Sequence, residues 1–449
     1  MAKKGLDAYG KLSAVFSDVQ FAGSFVLSEI YYDYFESYSD DTSLLRAMFG
    51  LLFSNAENSS LTMEPGRVYN VSGQKLDYGH ALLEFYDKSN KEINGNGAVI
   101  NDLRPRSLVG YSSYDGVLLF SHCDNIIIHN LIYQNLNEDF DLLYDEQGNV
   151  KYKAGIENQL GYVGTSFILL QNNCSHFEIV AHIVGARYGV KMGDYSKYWL
   201  SGDQGLTDSR IEIIAERTGY PVAIELGDGL DIFVESDTHH RAAYLCGISN
   251  SKVQIKAKNI MIGDRHCMLS DTHFSVDEYS PMRFKACQNL DVSLMELGSQ
   301  IVTNKNAFCV GFQTFNNKPF YSRKESLTWS NIKVKIHVDK ECPNVGLFTF
   351  SRGKAKNSSD PLNIQDYYEN ISITANNIYP TKQYSARLLI GETARYSNIS
   401  IQVDAPEGIV IYNNENDYEF DLSSSAVGLI NYSGKVILPK KVKSKKIKF

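Results

Sequence analysis

The chain has few of the residues that cross-link small folds or hold metals. Only seven cysteines occur in 449 residues, an odd number without a CxxC pair, which argues against a disulfide framework and a cysteine metal site. We interpret Cys123, Cys174, Cys246 and Cys287 as a row of buried thiols, and we predict neither a metal nor another cofactor. A net charge of −8 gives no general reason to expect a nucleic acid partner.

Long apolar runs are also missing. The N-terminal stretch MAKKGLDAYGKLSAVF lacks the continuous apolar segment that a Sec signal peptide requires. No run elsewhere is long enough to span a bilayer. We therefore expect a protein that is made in the cytoplasm, that does not insert into a membrane, and that leaves the cell, if it acts outside, by another route.

What the chain does contain is a repeat in which a short apolar strand, a polar corner and an alternating strand follow one another. It is clearest in LLFSHCDNIIIHN over residues 118–130 and returns between residues 167 and 403. Such a unit at a recurring period is typical of a solenoid. Period-2 alternation predicts these inward residues: Ile126, Ile128, Ile211, Ile213, Leu230, Ile232, Val234, Val253, Ile255, Leu290, Val292, Ile332, Val334, Ile336, Ile371, Ile373, Ile399 and Ile401.

The spacing of the repeats indicates which solenoid is formed. Ile211 and Leu230 are 19 residues apart, and Leu230 and Val253 are 23 apart, about the length of three short strands with their corners. A three-sided parallel β-coil is therefore predicted. Asparagine precedes the first inward residue at positions 125, 289, 331, 370 and 398. Its side chain tolerates turn geometry and can bond the corner amide of the next coil.

More specific motifs stand at the start of the repeat region. Asp40, Asp41 and Thr42 cap an amphipathic helix, SLLRAMFGLLFSNA, which is expected to cover the open end of the solenoid. A Pro-Gly turn between two apolar stretches follows in LTMEPGRVYNV, and then KEINGNGAVI. The residues of the turn segment that carry the resemblance are Pro65, Gly66, Tyr69 and Val71. Together these motifs resemble the N-terminal segment of pectate-lyase-like right-handed β-helices and are similar to those of bacteriophage tailspikes and virion glycan depolymerases.

The resemblance extends over residues 40–404 as a pattern, with its specific motifs within residues 40–132. It implies an all-β fold, a right-handed parallel β-helix (solenoid) with a short N-terminal capping helix. Such proteins often form homotrimers and bind or cleave surface polysaccharide. The resemblance also implies a virion protein that assembles in the host cytoplasm without a signal peptide and acts at the host cell surface. The acidic motifs of the polygalacturonase branch are missing, so no catalytic residue is carried over from that branch.

Three regions follow from this organisation. Residues 1–39 are interpreted as an N-terminal attachment or capping segment, residues 40–404 as the parallel β-helix, and residues 405–449 as a C-terminal cap with a basic tail. Polar insertions are predicted to form loops at one edge, where binding sites are common; they are residues 136–165, 263–281, 312–327 and 351–366. The tail KKVKSKKIKF is either a solvated end or a segment that docks on other virion proteins, a role also predicted for the N-terminus.

The outward residues of two neighbouring coils form an acidic patch. Strands stack about 4.8 Å apart, and residues i and i+2 lie about 6.8 Å apart. Glycosidases hold their carboxyl groups about 5–5.5 Å apart to retain stereochemistry and about 6.5–9.5 Å apart to invert it. Glu212 above Asp231 fits the first geometry, and Glu235 with Asp237 fits the second. These four are the predicted catalytic acids; the alternative is a plain polar surface with an ion pair between Glu235 and Lys258.

Residues for substrate binding are predicted next to these acids. Phe233 offers a sugar ring an apolar platform. His240 and Arg241 lie at the following corner, where histidine can act as acid or base and arginine can bind a carboxylate sugar. Asp271 and His273 are predicted to close over this corner. Their spacing is not that of a rigid metal site, so no metal is assigned to them.

Three functions are compatible with these features. The favoured one is a phage tailspike-like protein that binds host surface polysaccharide and cleaves it by glycoside hydrolysis. The alternatives are a non-catalytic virion fibre that serves as a receptor-binding rod, and a cellular polysaccharide lyase or epimerase. The glycan, and the choice between hydrolase, lyase and no catalysis, stay open.

Overall fold

The computed structural model of the chain describes residues 28–35, 38–54, 58–72, 81–104, 116–136, 165–193, 205–260, 265–271, 285–298, 307–314, 326–339, 345–352, 366–376, 387–388, 394–403, 409–410 and 436–437. The chain divides into two compact units. The first unit comprises Met1–Lys191 and Leu206–Pro221, and the second comprises Met192–Gly205 and Val222–Phe449.

The strands of the first unit form two parallel sheets. The described strands are β1 (Glu29–Tyr31), β2 (Ser59–Thr62), β3 (Val68–Val71), β4 (Ala81–Tyr86), β5 (Ser89–Asp102), β6 (Gly116–Ser121), β7 (Asp124–Gln134), β8 (Ser166–Gln171), β9 (Cys174–Ser175), β10 (Glu178–Val184), β11 (Tyr188–Met192, whose last residue belongs to the second unit), β12 (Leu206–Thr207) and β13 (Arg210–Thr218). The first sheet of this unit has the order β1-β2-β5-β7-β10-β13, and the second sheet has the order β4-β6-β8-β11.

The second unit is built in the same way. Its described strands are β14 (Tyr220–Ile224, of which Val222–Ile224 belong to this unit), β15 (Gly227–Asp228), β16 (Asp231–His239), β17 (Ala243–Cys246), β18 (Ile248–Ile260), β19 (Arg265–Ser270), β20 (Gln288–Glu296), β21 (Ala307–Thr314), β22 (Thr328–Val338), β23 (Val345–Arg352), β24 (Asp366–Asn376), β25 (Arg387–Leu388), β26 (Ala394–Val403), β27 (Ile409–Val410) and β28 (Val436–Ile437). The first sheet of this unit has the order β16-β18-β20-β22-β24-β26, and the second sheet has the order β14-β17-β19-β21-β23-β25. β27 and β28 pair separately.

The fold class predicted from the sequence is wrong. A right-handed parallel β-helix with three-sided coils needs three sheets, whereas the described strands of each unit form two long parallel sheets, with one α-helix among the described residues. The all-β composition and the parallel pairing are as expected. The alternation of apolar residues determines which face of a strand points inward. It does not determine how successive strands are shared between sheets, because the connecting segments carry no alternation.

The predicted inward positions are confirmed. Every one of them whose side chain is described is at most 2 % exposed; only the side chain of Ile401 is not described. On a strand with one buried face, a slip of one residue would expose the whole apolar set, so this pattern is a strong constraint on register. The burial of these branched residues supplies the core of both units.

The one described α-helix, α1 (Asp41–Ser54), begins at the residues that the sequence predicts. The carboxylate of Asp40 accepts a hydrogen bond of 2.8 Å from the backbone N–H of Ser43, which satisfies one of the free N–H groups of the first turn. This bond lowers the pKa of Asp40 below its ordinary value. On the buried side of the helix, Phe53 stacks on Phe85 of β4 with ring centroids 3.9 Å apart.

Asparagines connect neighbouring strands of the first sheet at their outer corner, as predicted. In the second unit, amide-to-amide hydrogen bonds of 2.7–3.1 Å run along Asn250, Asn289, Asn331, Asn370 and Asn398. All five have a positive φ between 50° and 56°, a conformation that asparagine tolerates better than most residues. In the first unit, Asn125 bonds Asn90 in the same way. In this asparagine ladder, each residue therefore adopts the positive φ of the corner and also bonds the asparagine of the neighbouring strand.

Replacing Asn331 by Ala is expected to lower the free energy of unfolding by about 2 kcal/mol. The left-handed backbone costs alanine about 1 kcal/mol, and the two lost amide bonds, which are solvent-exposed, contribute the rest. Asn331→Gly removes the side chain but suits the backbone, so it should cost about half as much. Urea denaturation of both variants checks this. Equal losses would show that the backbone conformation contributes nothing, and unchanged midpoints would show that the ladder itself does not stabilise the fold.

The predicted domain division stays a prediction, since most of residues 1–39 and 405–449 lie outside the described residues. The bounds of three predicted insertions differ. Arg265–Ser270, assigned to the loop insertion 263–281, form β19, and β21 and β23 extend two or three residues into the insertions 312–327 and 351–366. The polar residues Arg265 and His266 at the start of β19 interrupt the apolar pattern by which a strand is recognised in a sequence, although His266 is fully buried. In the described part of the chain, no helix has both the length and the apolar content needed to cross a bilayer.

Candidate functional site

The predicted acids of the second unit lie on the outward side of β16. Asp231 and Glu235 are exposed, Asp237 is half-buried, and Phe233 between them is also half-buried. The side chains that alternate with them along this part of the strand point inward and are buried. The orientation that the sequence predicts for these four side chains is therefore confirmed, whereas their catalytic and binding roles stay predictions.

Two of these acids form ion pairs with lysines of β18. Nζ of Lys256 lies 3.4 Å from Oε2 of Glu235, and Nζ of Lys258 lies 2.8 Å from Oδ2 of Asp237. Asp237 also accepts a hydrogen bond of 2.7 Å from the amide of Asn259. The sequence paired Glu235 with Lys258, but the strand register places Glu235 opposite Lys256. Exposed carboxylates neutralised by lysines are an ordinary feature of a polar sheet face.

The fourth predicted acid, Glu212, belongs to the first unit. It lies on β13, where its carboxylate is 2.8 Å from the guanidinium of Arg210. The same guanidinium lies 3.6 Å from the carboxylate of Glu178 on β10. Glu212 is therefore part of a surface ion-pair group of the first unit, and its predicted proximity to Asp231 stays a prediction.

The predicted substrate-binding residues have different surroundings. His240 is buried and Asp271 is fully buried, while His273 lies outside the described residues. The guanidinium carbon of Arg241 lies 5.0 Å from the ring centroid of Tyr244, within the range of a cation–π contact. This contact places Arg241 beside β17, in the second sheet of the second unit.

Two carboxylates lie near one buried thiol in that second sheet. Glu225 directly follows β14 and is 5 % exposed, and Asp271 directly follows β19 and is 0 % exposed. Burial raises the pKa of the Cys246 thiol well above its usual value, and the charges of Glu225 and Asp271 raise it further. We call Glu225 and Asp271 the acid pair. Asp271 is among the site residues predicted from the sequence, whereas Glu225 is not.

The strand register sets the separation of the acid pair. The last residue pair of β14 and β17 is Ile224 opposite Leu245, so Glu225 and Cys246 are the next residues of the two chains. Cys246 lies opposite Ser270, the residue before Asp271. Strands two places apart in a sheet are about 9.6 Å apart, so the backbones of the acid pair are about 10 Å apart. Inverting glycosidases hold their carboxyl groups about 6.5–9.5 Å apart, and a backbone spacing of this size is compatible with that separation.

Glycines make room for two charged side chains in this sheet. A Cβ atom on Gly193 would lie 2.5 Å from Oε2 of Glu225, so a larger residue there would displace the carboxylate. The side chain of Arg265 likewise crosses Gly311 at a distance that leaves no space for a Cβ. Both side chains are therefore held close to the backbone of the sheet.

Two neutral groups lie beside the acid pair. Burial raises the pKa of Tyr244 well above its usual value, Cys246 adds to the rise, and Arg241 opposes it. The phenol therefore keeps its proton and can donate a hydrogen bond. The Cys246 thiol also stays protonated, which excludes it as a thiolate nucleophile.

A second polar group of the second unit is closed to solvent. His239, His266 and Glu296 are all 0 % exposed. Nε2 of His239 lies 2.6 Å from Nδ1 of His266, and Nε2 of His266 bonds Oε2 of Glu296. These three side chains are bonded to one another, so the group serves as a buried hydrogen-bond network that fixes the packing around it.

Neither metal ligation nor disulfide formation is supported by the described residues. No group of three or more His, Cys, Asp or Glu side chains among them has the geometry to hold a metal ion. The six described cysteines are free and buried, and they include the four that the sequence predicts to be buried thiols. Burial raises the pKa of Cys174 and of Cys287 to about 12, so these thiols are neutral packing groups.

The acid pair has a signal in the sequence. Glu225 interrupts the apolar run VAIEL at residues 222–226, and an acidic residue in a buried strand is rare unless it has a partner or a role. Asp271 similarly follows the run CMLS. The sequence does not show that the two carboxylates lie at the C-terminal ends of strands in the same sheet, because this depends on strand pairing.

Comparisons with known proteins are sparse. No family model matches the chain, and no curated protein matches it. Among solved structures, the chain is similar to the catalytic domain of a GH87 alpha-1,3-glucanase in complex with nigerose. The identity is 11 %, the TM-score is 0.42, and the alignment covers 93 % of this chain and 69 % of that chain. No family membership follows at this level of similarity.

Proposed function

We propose that the protein binds and hydrolyses a polysaccharide, with the acid pair Glu225 and Asp271 as the two carboxyl groups of an inverting glycosidase. The observation that carries the proposal is the enclosure of both carboxylates beside the Cys246 thiol in one sheet. Buried carboxylates are costly to maintain unless they are paired or bonded.

Each residue of the site has a role in this scheme. One carboxyl group of the acid pair protonates the leaving glycosidic oxygen, and the other accepts a proton from the water that attacks the opposite side of the sugar. The protonated hydroxyl of Tyr244 donates a hydrogen bond to the substrate, and Arg241 above its ring binds a sugar oxygen. The neutral Cys246 thiol keeps the space between the carboxylates free of further charge.

The biological setting is part of the same proposal. The motifs from Asp40 to residue 132 support a tailspike-like virion protein that is assembled in the host cytoplasm and binds a glycan at the host cell surface. A homotrimer that attaches to other virion proteins through its N-terminal segment or basic tail is the assembly that this resemblance implies. Antibody labelling of intact virions would detect the protein in that setting.

The enzymatic part is tested by incubating the purified full-length protein with polysaccharides isolated from bacterial cell surfaces. We expect one of them to lose chain length by size-exclusion chromatography and to gain reducing ends. The first products should have inverted anomeric configuration in NMR spectra. Products with the ultraviolet absorption of unsaturated uronides would indicate a lyase instead. A glycan that binds but keeps its chain length would contradict hydrolysis.

A non-catalytic receptor-binding fibre is the second candidate, and one observation favours it. Glu235 and Asp237 are neutralised by Lys256 and Lys258, as on a surface that binds without chemistry. In that case the unmodified protein and a Glu225→Gln variant would bind the same glycan with equal affinity, and neither would shorten it.

A further inference from the structure

Four neighbouring strands of the second unit present their outward residues in regular rows. The register of β16, β18, β20 and β22 is parallel and continuous along these rows, so each outward residue has a direct neighbour at the same level on the next strand. The outward side chains are exposed or half-buried, while those between them are buried. We call this solvent-accessible surface the charged face.

The first row of the charged face alternates in sign. Asp231 is level with Lys252, Lys252 with Asp291, and Asp291 with Lys333. When this row is turned end for end, its signs are reversed at every position. A second copy rotated about a two-fold axis would therefore place Lys333 opposite Asp231 and Asp291 opposite Lys252.

The second row is compatible with the same rotation. It consists of Phe233, Gln254, Ser293 and Lys335. Rotation places Lys335 of one copy opposite Phe233 of the other, whose ring centroid lies 5.4 Å from Nζ of Lys256 in its own copy, so the two lysines share one cation–π acceptor. It also places the Gln254 amide opposite the Ser293 hydroxyl, which can form a hydrogen bond.

The third row follows the same rule. It consists of Glu235, Lys256, Met295 and His337. Rotation places His337 opposite Glu235, and it places the apolar stem of Lys256 opposite Met295, a large apolar side chain that is 39 % exposed. None of the pairings in the three rows joins two charges of the same sign. In the next row, rotation would bring Asp237, which is paired with Lys258 of its own copy, opposite Asp339, so the complementary part of the face ends at the third row.

From these rows we infer that the charged face binds the charged face of a second copy of this chain. The two-fold axis runs parallel to the strands, between β18 and β20. Such a contact is isologous, because each residue meets the same partner in both directions. Faces of two sheets pack about 10 Å apart, a gap that lysine and carboxylate side chains bridge. The inference does not depend on the proposed hydrolase activity.

The size of the face predicts a weak contact. The charged face is three strand spacings wide and two steps of i to i+2 long. With side chains included, it measures about 20 by 20 Å, or about 400 Å² per copy. A stable interface buries about 800 Å² per partner. Association should therefore be reversible and sensitive to salt, and it should be strong only where an assembly holds several copies together.

A variant with every sign in the first row inverted separates this contact from the ion pairs within one sheet. The inverted variant carries Asp231→Lys, Lys252→Asp, Asp291→Lys and Lys333→Asp. Its charges still alternate along the sheet, and it still complements itself after rotation. Only the mixed pair of unmodified and inverted protein meets like charges at all four positions.

The experiment is sedimentation of a labelled sample, of the unmodified or of the inverted protein, titrated with unlabelled unmodified protein or with unlabelled inverted protein. We expect each protein to associate with itself, mixed association to be about tenfold weaker, and the difference to disappear in high salt. Equal mixed and self association would overturn the inference, as would the absence of self association at the highest concentration reached. Circular dichroism and urea midpoints verify folding.

A second variant keeps the test decisive if the inverted one does not fold. Exchanging only the central pair, with Lys252→Asp and Asp291→Lys, leaves two acids next to two lysines along the row. This order still complements itself after rotation, but it forms two like-charge contacts with the unmodified protein. Self association with weakened mixed association supports the contact, and equal association of the two kinds overturns it.

Discussion

Replacing Glu225 by Gln, or Asp271 by Asn, is expected to slow polysaccharide cleavage by about 10²–10⁴-fold, the contribution of one general acid or base. Each substitution preserves the size of the side chain but removes the group that exchanges a proton. The hydrogen bonds from Tyr244 and Arg241 to the sugar remain, so the affinity for the glycan should change little. Initial rates of reducing-end release and equilibrium binding to the inactive variants measure the two effects separately.

The matched controls are Glu235→Gln and Asp237→Asn on the outward side of β16. Both carboxylates lie in exposed ion pairs, so these variants should keep the rate within about threefold. The double variant of the acid pair should lose no more than the slower single variant, because the two groups act in one step. If the β16 variants were inactive and those of the acid pair active, the assignment of the site to Glu225 and Asp271 would be wrong.

Replacing Arg104 by Met is expected to destabilise the first unit by about 3–5 kcal/mol, the cost of leaving one partner of a buried ion pair alone. Asp102 is 0 % exposed and Arg104 is 7 % exposed. Their side chains form two parallel hydrogen bonds of 2.8 and 2.7 Å. The hydroxyl of Tyr133 donates to the same carboxylate at 3.0 Å, but it carries no charge to compensate the carboxylate.

The control for this prediction removes both charges. Asp102→Asn combined with Arg104→Met should recover a large part of the lost stability, because no unpaired charge then remains in the core. Urea unfolding of both single variants and the double variant gives the coupling energy of the pair. A double variant that is as unstable as the sum of the two singles would show that the pair is not coupled, which would contradict the expectation.

Several local features of this protein could be predicted from the sequence because they depend on neighbouring residues alone. The alternation in segments such as NLDVSL assigned the inward residues correctly, since successive side chains of a strand point to opposite faces. Asp40 marked the start of α1, because a carboxylate there binds free backbone N–H groups. The corner asparagines were also recognised, since few other residues tolerate a positive φ and bond an identical neighbour.

Only the tertiary structure decided how strands are shared between sheets and which charged groups meet. The sequence paired Glu235 with Lys258, but strand register pairs it with Lys256. Glu225 and Asp271 lie 46 residues apart in the chain, and only the pairing of β14, β17 and β19 brings them to one sheet edge. By itself the sequence determined the inward face of each strand, the helix start and the corner asparagines, because side-chain direction and turn preference are local properties. The number of sheets, the ion pairs and the acid pair depend on register between distant strands, which local preferences leave undetermined.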